Sequence, residues 1–217
     1  MPKKWVHDLF RDVRAASWVD PQRCYLTGWS MGGMGTWEVA TCLKDVIAAV
    51  APVAAHHQQD RTSLLAESLR DLPILAVHSQ KDSTCSFLSE KRLWEELYRR
   101  GKKLHVCYAP GVDHFSMFER SYGDDAHIFK WLLAHELGDN EVDDVDSFVA
   151  PGAPSRPYLG PQFYTPAAPA SPTVSNGGCQ SCFASYRGSC ENVIGALSIV
   201  CAPDERKEYH VAAVLDV

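Results

Sequence analysis

The sequence predicts an α/β protein, a mainly parallel sheet flanked by helices, followed by a disordered proline-rich tail. Three observations carry that prediction. Short apolar runs rich in β-branched residues alternate with amphipathic segments of helical length up to about residue 138, the pattern of successive βαβ units. An acidic run follows (Asp139, Glu141, Asp143, Asp144, Asp146). Seven of the thirteen prolines then fall between Pro151 and Pro172, a density that no packed helix or central strand accepts. The organisation is therefore a folded domain over 1–138, a linker over 139–178 expected to be disordered, and a Cys-containing segment over 179–217 of uncertain structure.

Taken in order, residues 3–16 place Trp5, Val6, Leu9, Phe10 and Val13 on one face at helical spacing, which predicts a surface helix. Asp20-Pro21 breaks the chain, and Cys24 to Trp29 reads as a short strand. A helix is predicted over 31–43. Asp45 to Val53 is a continuous apolar run, as in a strand covered on both faces. Leu64 to Leu69 suggests a short helix, and Pro73 opens a strand over Ile74 to His78. Phe87 to Arg100 predicts a helix with Leu88, Leu93, Trp94, Leu97 and Tyr98 inward and Gly101 as its stop. Leu104 to Tyr108 is a fourth strand. Asp124 to Leu137 is a last helix, with Ile128, Phe129, Leu132 and Leu133 as its apolar stripe.

Composition narrows the partners. The 217 residues are 46% hydrophobic and carry a formal charge of −6, which argues against nucleic acid, since phosphate binding needs a basic face. No apolar run approaches the roughly 20 residues of a membrane helix, and the start lacks a signal-peptide core. The expectation is a soluble, cytoplasmic protein with no membrane partner, qualified by the chance that an N-terminal targeting segment is missing. Cys24, Cys42, Cys85 and Cys107 read as small buried hydrophobes. Cys179, Cys182, Cys190 and Cys201 are too unevenly spaced for a structural zinc site, and we read no metal site from them.

The chemistry concentrates at Gly28-Trp29-Ser30-Met31-Gly32, a G-x-S-x-G sequence between a strand and a helix. A serine hydroxyl attacks well only when it projects toward a base. A sharp strand-to-helix turn supplies that projection, provided the residues two positions away on each side are small. The pattern alone occurs in roughly one chain in fifteen of this length; its strand–turn–helix setting, with Gly33 and Gly35 allowing close packing, separates it from a glycine-rich turn that merely closes a βα unit. An acid and a histidine should follow in that order on later loops. Asp82 lies four residues past the third strand and His114 six past the fourth. Ser30 is thus the candidate nucleophile, His114 the base and Asp82 the acid that orients it. Met31, opening the helix, offers an oxyanion N–H, and Trp29 is placed beside the substrate pocket. The competing reading makes Asp82 a turn residue and Asp113-His114 a solvated loop. His56 and His57 are read as exposed loop residues, and His7, His105, His127 and His135 as surface or internally satisfied residues.

The segment from Asp20 to Glu38 (DPQRCYLTGWSMGGMGTWE) resembles the nucleophile region of α/β-hydrolases of the prolyl-oligopeptidase-like and phospholipase/carboxylesterase-like branch. Pro73 to Asp82 (PILAVHSQKD) is similar to that family's strand leading to the acid, and Gly111 to His114 (GVDH) to its histidine loop. The resemblance covers residues 1 to about 138 and implies cleavage of small-molecule carboxylic esters through an acyl-enzyme, with no metal or organic cofactor. It places His78 at the family's usual structural histidine before the acid loop. A prolyl-oligopeptidase-like peptidase, or a non-catalytic remnant serving as an interaction module, remains as the alternative. Members of this superfamily normally have four or so strands before the elbow, whereas this chain reaches Ser30 after a single helix. The fold is therefore expected to be partial, with N-terminal strands missing and one sheet edge bare. A truncated chain, a sheet completed by another copy or partner, and a degenerate relative all fit that expectation. Oligomeric state is left open.

Overall fold

The computed structural model describes residues 4–101, 105–108, 111–122, 127–139, 162–163, 197–201 and 210–215. The elements are α1 (Lys4–Arg14), β1 (Cys24–Trp29), α2 (Met31–Leu43), β2 (Ala49–Val53), α3 (Thr62–Ser68), β3 (Leu75–His78), α4 (Phe87–Arg99), β4 (His105–Tyr108), α5 (His114–Tyr122), α6 (His127–Leu133), β5 (Gln162–Phe163), β6 (Leu197–Cys201) and β7 (His210–Leu215). They build one sheet in the order β5-β4-β3-β2-β1-β6-β7. The pairs β1–β2, β2–β3 and β3–β4 are parallel, and the outer pairs antiparallel.

The layering follows from connection geometry. From β1 to β4 the chain steps across the sheet in one direction, so crossovers of a single hand must place α2, α3 and α4 on one face. There Leu26, Val50, Ile74 and Ala76 of the strands and preceding loops meet Phe10, Trp37, Leu43, Leu65, Leu93, Trp94 and Leu97. The alternate residues of the same strands, Tyr25, Ala49, Ala51, Val53, Leu75 and Val77, point the other way and pack with Met117, Ile128, Phe129, Trp131 and Leu132 from α5 and α6. Period-2 alternation thus feeds two cores from one sheet, which is why the central strands read as unbroken apolar runs.

Several predicted elements change at their ends. The second strand begins at Ala49 because Val46 and Ile47 N–H groups still bond back to the Leu43 carbonyl, and the ladder starts only when the Ala48 N–H reaches the Cys24 carbonyl. The last helix is described over His127–Leu133 and closes in three-residue turns, the N–H of Ala134 on Trp131 O and that of His135 on Leu132 O. In α4 the inward face differs from expectation. Leu88 is 58% and Tyr98 40% exposed, while Glu90 is fully buried beside Leu93, Trp94 and Leu97. Glu90 has a buried partner on β3, described below.

The segment expected to be a linker supplies β5, whose two residues pair with β4 at His105 and Val106. The segment of uncertain structure supplies β6 and β7. The β1 edge expected to be bare carries β6, with Cys24 opposite Cys201 and Gly28 opposite Leu197. Pairing there satisfies N–H and C=O groups that an open edge would expose. Cys179, Cys182 and Cys190 lie outside the described residues. Among the described residues no helix is long and apolar enough to cross a membrane.

Candidate active site

Ser30 sits between β1 and α2 with φ 55 and ψ −115, a conformation that costs a non-glycine residue on the order of 1–3 kcal/mol. The surroundings enforce it. The Ser30 N–H donates to Val53 O at 2.9 Å, and the Ser30 carbonyl accepts from Met34 N at 3.0 Å. A Cβ on Gly28 would lie 2.5 Å from both the carbonyl carbon and the oxygen of Gly32, and one on Gly33 would lie 2.7 Å from Val53 O. The elbow therefore needs glycine at those two positions, because strand and helix backbones nearly touch.

The three predicted residues come together at the C-terminal ends of the parallel strands, where open α/β sheets place their sites. His114 Nε2 lies 2.9 Å from Ser30 Oγ, and His114 Nδ1 lies 2.8 Å from Asp82 Oδ2. The ionised carboxylate can only accept, so Nδ1 carries the hydrogen and Nε2 presents its lone pair to the serine hydroxyl. Asp82 Oδ1 accepts the N–H groups of Thr84 and Cys85, each at 2.8 Å. Burial pushes the Asp82 carboxyl up, but hydrogen bonds from His114, then His78, then the Cys85 N–H outweigh it, leaving its pKa well below the usual carboxylate range.

His114 is not on a solvated loop. It is the first residue of α5 and is buried. Asp113 precedes that helix and caps it, its Oδ1 accepting the N–H groups of Phe115 and Ser116 and its Oδ2 the Ser116 hydroxyl. The Asp-x-x-Ser spacing was the available signal for this helix. Trp29 holds His114 from the other side. Its Nε1–H donates to the His114 carbonyl at 3.0 Å, and its ring lies 4.8 Å from the imidazole. Phe115 and Phe118, both exposed, flank the indole at 5.8 and 5.5 Å. Met31 opens α2, 45% exposed, where helix geometry leaves its N–H without an intrahelical acceptor.

Two expectations about histidines are overturned. His56 and His57 are buried, at 7% and 4% exposure, on the chain that leaves β2 through Ala54 at φ 48. Thr62 Oγ1 donates to Gln59 O, so His57 Nε2 is the donor in its 2.6 Å contact with Thr62 Oγ1. Burial, then the nearby His56 and Arg92, lower the His57 pKa to about 4. Burial also lowers that of His56. His7 is exposed, and His135 is buried with Nδ1 2.9 Å from Trp131 O. The side chains of His105 and His127 lie outside the described residues.

Among the described residues Asp82, Cys85 and His114 offer potential ligand atoms within 4.8 Å of one another. Their oxygen and nitrogen atoms are engaged in the hydrogen bonds above, and a cation there would have to break the His114–Asp82 bond.

A strained serine elbow and an acid–histidine pair beyond later strands of a parallel sheet define an α/β-hydrolase. The sequence model of the dienelactone hydrolase family matches residues 3–137, and the chain belongs to that family. It is 29% identical over 84 residues to the bifunctional acetylxylan esterase/xylanase XynS20E of Neocallimastix patriciarum, a match covering 39% of this chain and 12% of that protein. A thermostable esterase of known structure is similar at a TM-score of 0.54 and 24% identity, over 62% of this chain and 37% of that one. The acylaminoacyl peptidase of Pyrococcus horikoshii is similar at a TM-score of 0.48 and 15% identity, over 65% of this chain and 28% of that one. The chain thus spans a minor part of each of these relatives.

Proposed function

We propose that this chain is the catalytic part of a serine hydrolase that cleaves small-molecule carboxylic esters. The observation that carries the reading is the continuous hydrogen-bond chain Ser30–His114–Asp82 on a strained elbow. In the acylation step His114 Nε2 takes the Ser30 proton as Oγ bonds to the ester carbonyl carbon, and the imidazolium formed is balanced by Asp82. The Met31 N–H faces the developing oxyanion. Collapse breaks the bond to the alcohol oxygen, which leaves with the proton from His114. Water, deprotonated by the same nitrogen, then releases the acid and restores Ser30. No step calls on a metal or organic cofactor. The half-buried Trp29 and the exposed Phe115 and Phe118 supply an apolar wall around His114, which suits an ester with an apolar acyl or alcohol group.

A fluorophosphonate probe tests the reading. Ser30 is expected to be labelled, Ser30→Ala not at all and His114→Ala only slowly. Asp82→Asn, whose amide would face His114 Nδ1 with a donor, is expected to lower kcat on nitrophenyl esters by about 10⁴. Folded protein whose Ser30 resists the probe would refute the proposal. Turnover of proline-containing peptide amides in preference to esters would assign a peptidase instead.

A further inference from the structure

The triad is backed by a second pair of buried ionisable groups that the mechanism above does not use. His78 ends β3, with its side chain fully buried. Its Nδ1 lies 2.9 Å from Glu90 Oε2, and its Nε2 lies 3.1 Å from Cys85 O and 3.4 Å from Asp82 Oδ2. That last oxygen is the one accepting His114 Nδ1–H. Glu90, on α4, is itself fully buried, and Trp94 and Trp37 favour its ionised form. Phe87 packs edge-on against the His78 ring at 5.7 Å.

We propose that Glu90 and His78 are positioning residues for the triad: Glu90 holds His78 as an imidazolium whose Nε2–H fixes Asp82 Oδ2 and the Cys85 carbonyl from behind. The proposal rests on the hydrolase reading for its catalytic consequence. The proton count follows from the acceptors. Cys85 O can only accept, so Nε2 must carry a hydrogen. Between Nδ1 and Glu90 Oε2 there is one further proton, and it belongs on nitrogen because Asp82, 3.4 Å from Nε2, draws positive charge toward the ring. Burial pulls the His78 pKa down, but the hydrogen bonds with Asp82 and Glu90 prevail and raise it to about 9. Burial outweighs His78 and the two tryptophans and raises the Glu90 pKa; the raised His78 is the direction the geometry supports, because two carboxyl groups and a backbone carbonyl surround its ring.

The charged and titratable groups around His78 are Asp82 on the loop after β3, Glu90 on α4, the neutral His56 on the loop after β2, and His114 through Asp82. Within this set, a cation at His78 offsets part of the Asp82 charge that His114 feels. Removing it leaves the hydrogen bonds but strengthens the pull of Asp82 on the His114 proton.

Glu90→Gln separates that effect from packing, since it keeps the shape and deletes the charge. Neutral His78 would still donate from Nε2. The His114 signals, followed by imidazole NMR, are expected to titrate at higher pH than in the unmodified protein. The acidic limb of the kcat/KM profile on a nitrophenyl ester should move with it. In the unmodified protein, NMR should show both His78 nitrogens protonated at pH 7. A bare His78 nitrogen there, or a folded Glu90→Gln protein whose His114 titration is unchanged, overturns the proposal. If Glu90→Gln does not fold, the His78 nitrogen signals of the unmodified protein decide alone. Absence of turnover in the unmodified protein would sink the hydrolase reading instead, and the two titrations would still be measured.

Discussion

The elbow makes its sharpest quantitative claim at Gly28. Replacing it with alanine puts a methyl group 2.5 Å from the carbonyl carbon and oxygen of Gly32 and 2.9 Å from its Cα. An ordinary contact needs about 3.4 Å or more, so nearly an ångström must be found, and both parties are backbone. Neither is free to give way. Gly28 is registered between Pro52 of β2 and Leu197 of β6, and Gly32 belongs to the first turn of the buried helix α2. Overpacking in a core costs typically 1–3 kcal/mol, and with no flexible side chain to absorb it Gly28→Ala is expected near the top, about 3 kcal/mol. Gly101→Ala is the comparison: its φ is +83 with nothing within 4 Å, so only the left-handed backbone is penalised, by about 1–2 kcal/mol. Urea unfolding measures both. Fluorophosphonate labelling then separates them, because shifting strand from helix moves Ser30 away from His114. Labelling of folded Gly28→Ala should fall at least tenfold, while Gly101→Ala labels normally. An alanine at position 28 with an unchanged urea midpoint and labelling rate would refute the tight-elbow account.

Two histidines bound the pH range of stability from opposite sides. His78, raised to about 9 in the fold, contributes stability that is complete below about 6.5 and is lost as pH rises through about 9; His57, lowered to about 4, contributes stability that is complete above about 6.5 and is lost as pH falls through about 4. Unfolding midpoints across pH 4 to 9 should therefore peak in the interior, and His57→Gln should flatten the acid side only. Trp29→Phe keeps the ring against His114 but removes the Nε1–H that binds the His114 carbonyl. It is expected to lower kcat severalfold with a smaller change in KM, and the reverse split would assign Trp29 to substrate binding alone.

Much of this site could be read from the sequence because the local rules and the global fold agree there. Gly28 and Gly32 around Ser30 report a backbone constraint, and Asp82 and His114 follow strands whose apolar runs are unambiguous. The misplaced features have physical causes. Leu88 reads as inward because it is apolar, yet Glu90, three and four residues before Leu93 and Trp94, lies squarely on the buried stripe. The stripe was readable; what hid the carboxylate's role was that its partner, His78, comes from another element. His56 and His57 read as surface residues because they follow a strand, whereas the chain leaves β2 through a left-handed Ala54 and both are buried; no sequence pattern signals a positive φ at alanine. The pairing of β6 with β1 joins segments some 170 residues apart, and contacts that distant leave no local periodicity.

The arrangement also explains why the acid and the histidine need loops of different lengths. Ser30 follows β1 and His114 follows β4, three strand spacings away, about 14 Å. His114 lies six positions past Tyr108, enough chain to cross that gap at roughly 3.3 Å per residue. Asp82 has less far to go. It lies in a turn closed by its own N–H on Ser79 O at 3.2 Å, and it meets the far side of the imidazole rather than the serine. The histidine is therefore on the longest reach of the three and most needs restraint. It receives that restraint from the Asp113 cap at the start of α5, from the Trp29 indole on its carbonyl and ring, and from Asp82, itself gripped by two backbone N–H groups and His78. The burial of polar groups behind the triad is thus concentrated where the backbone alone leaves the greatest freedom.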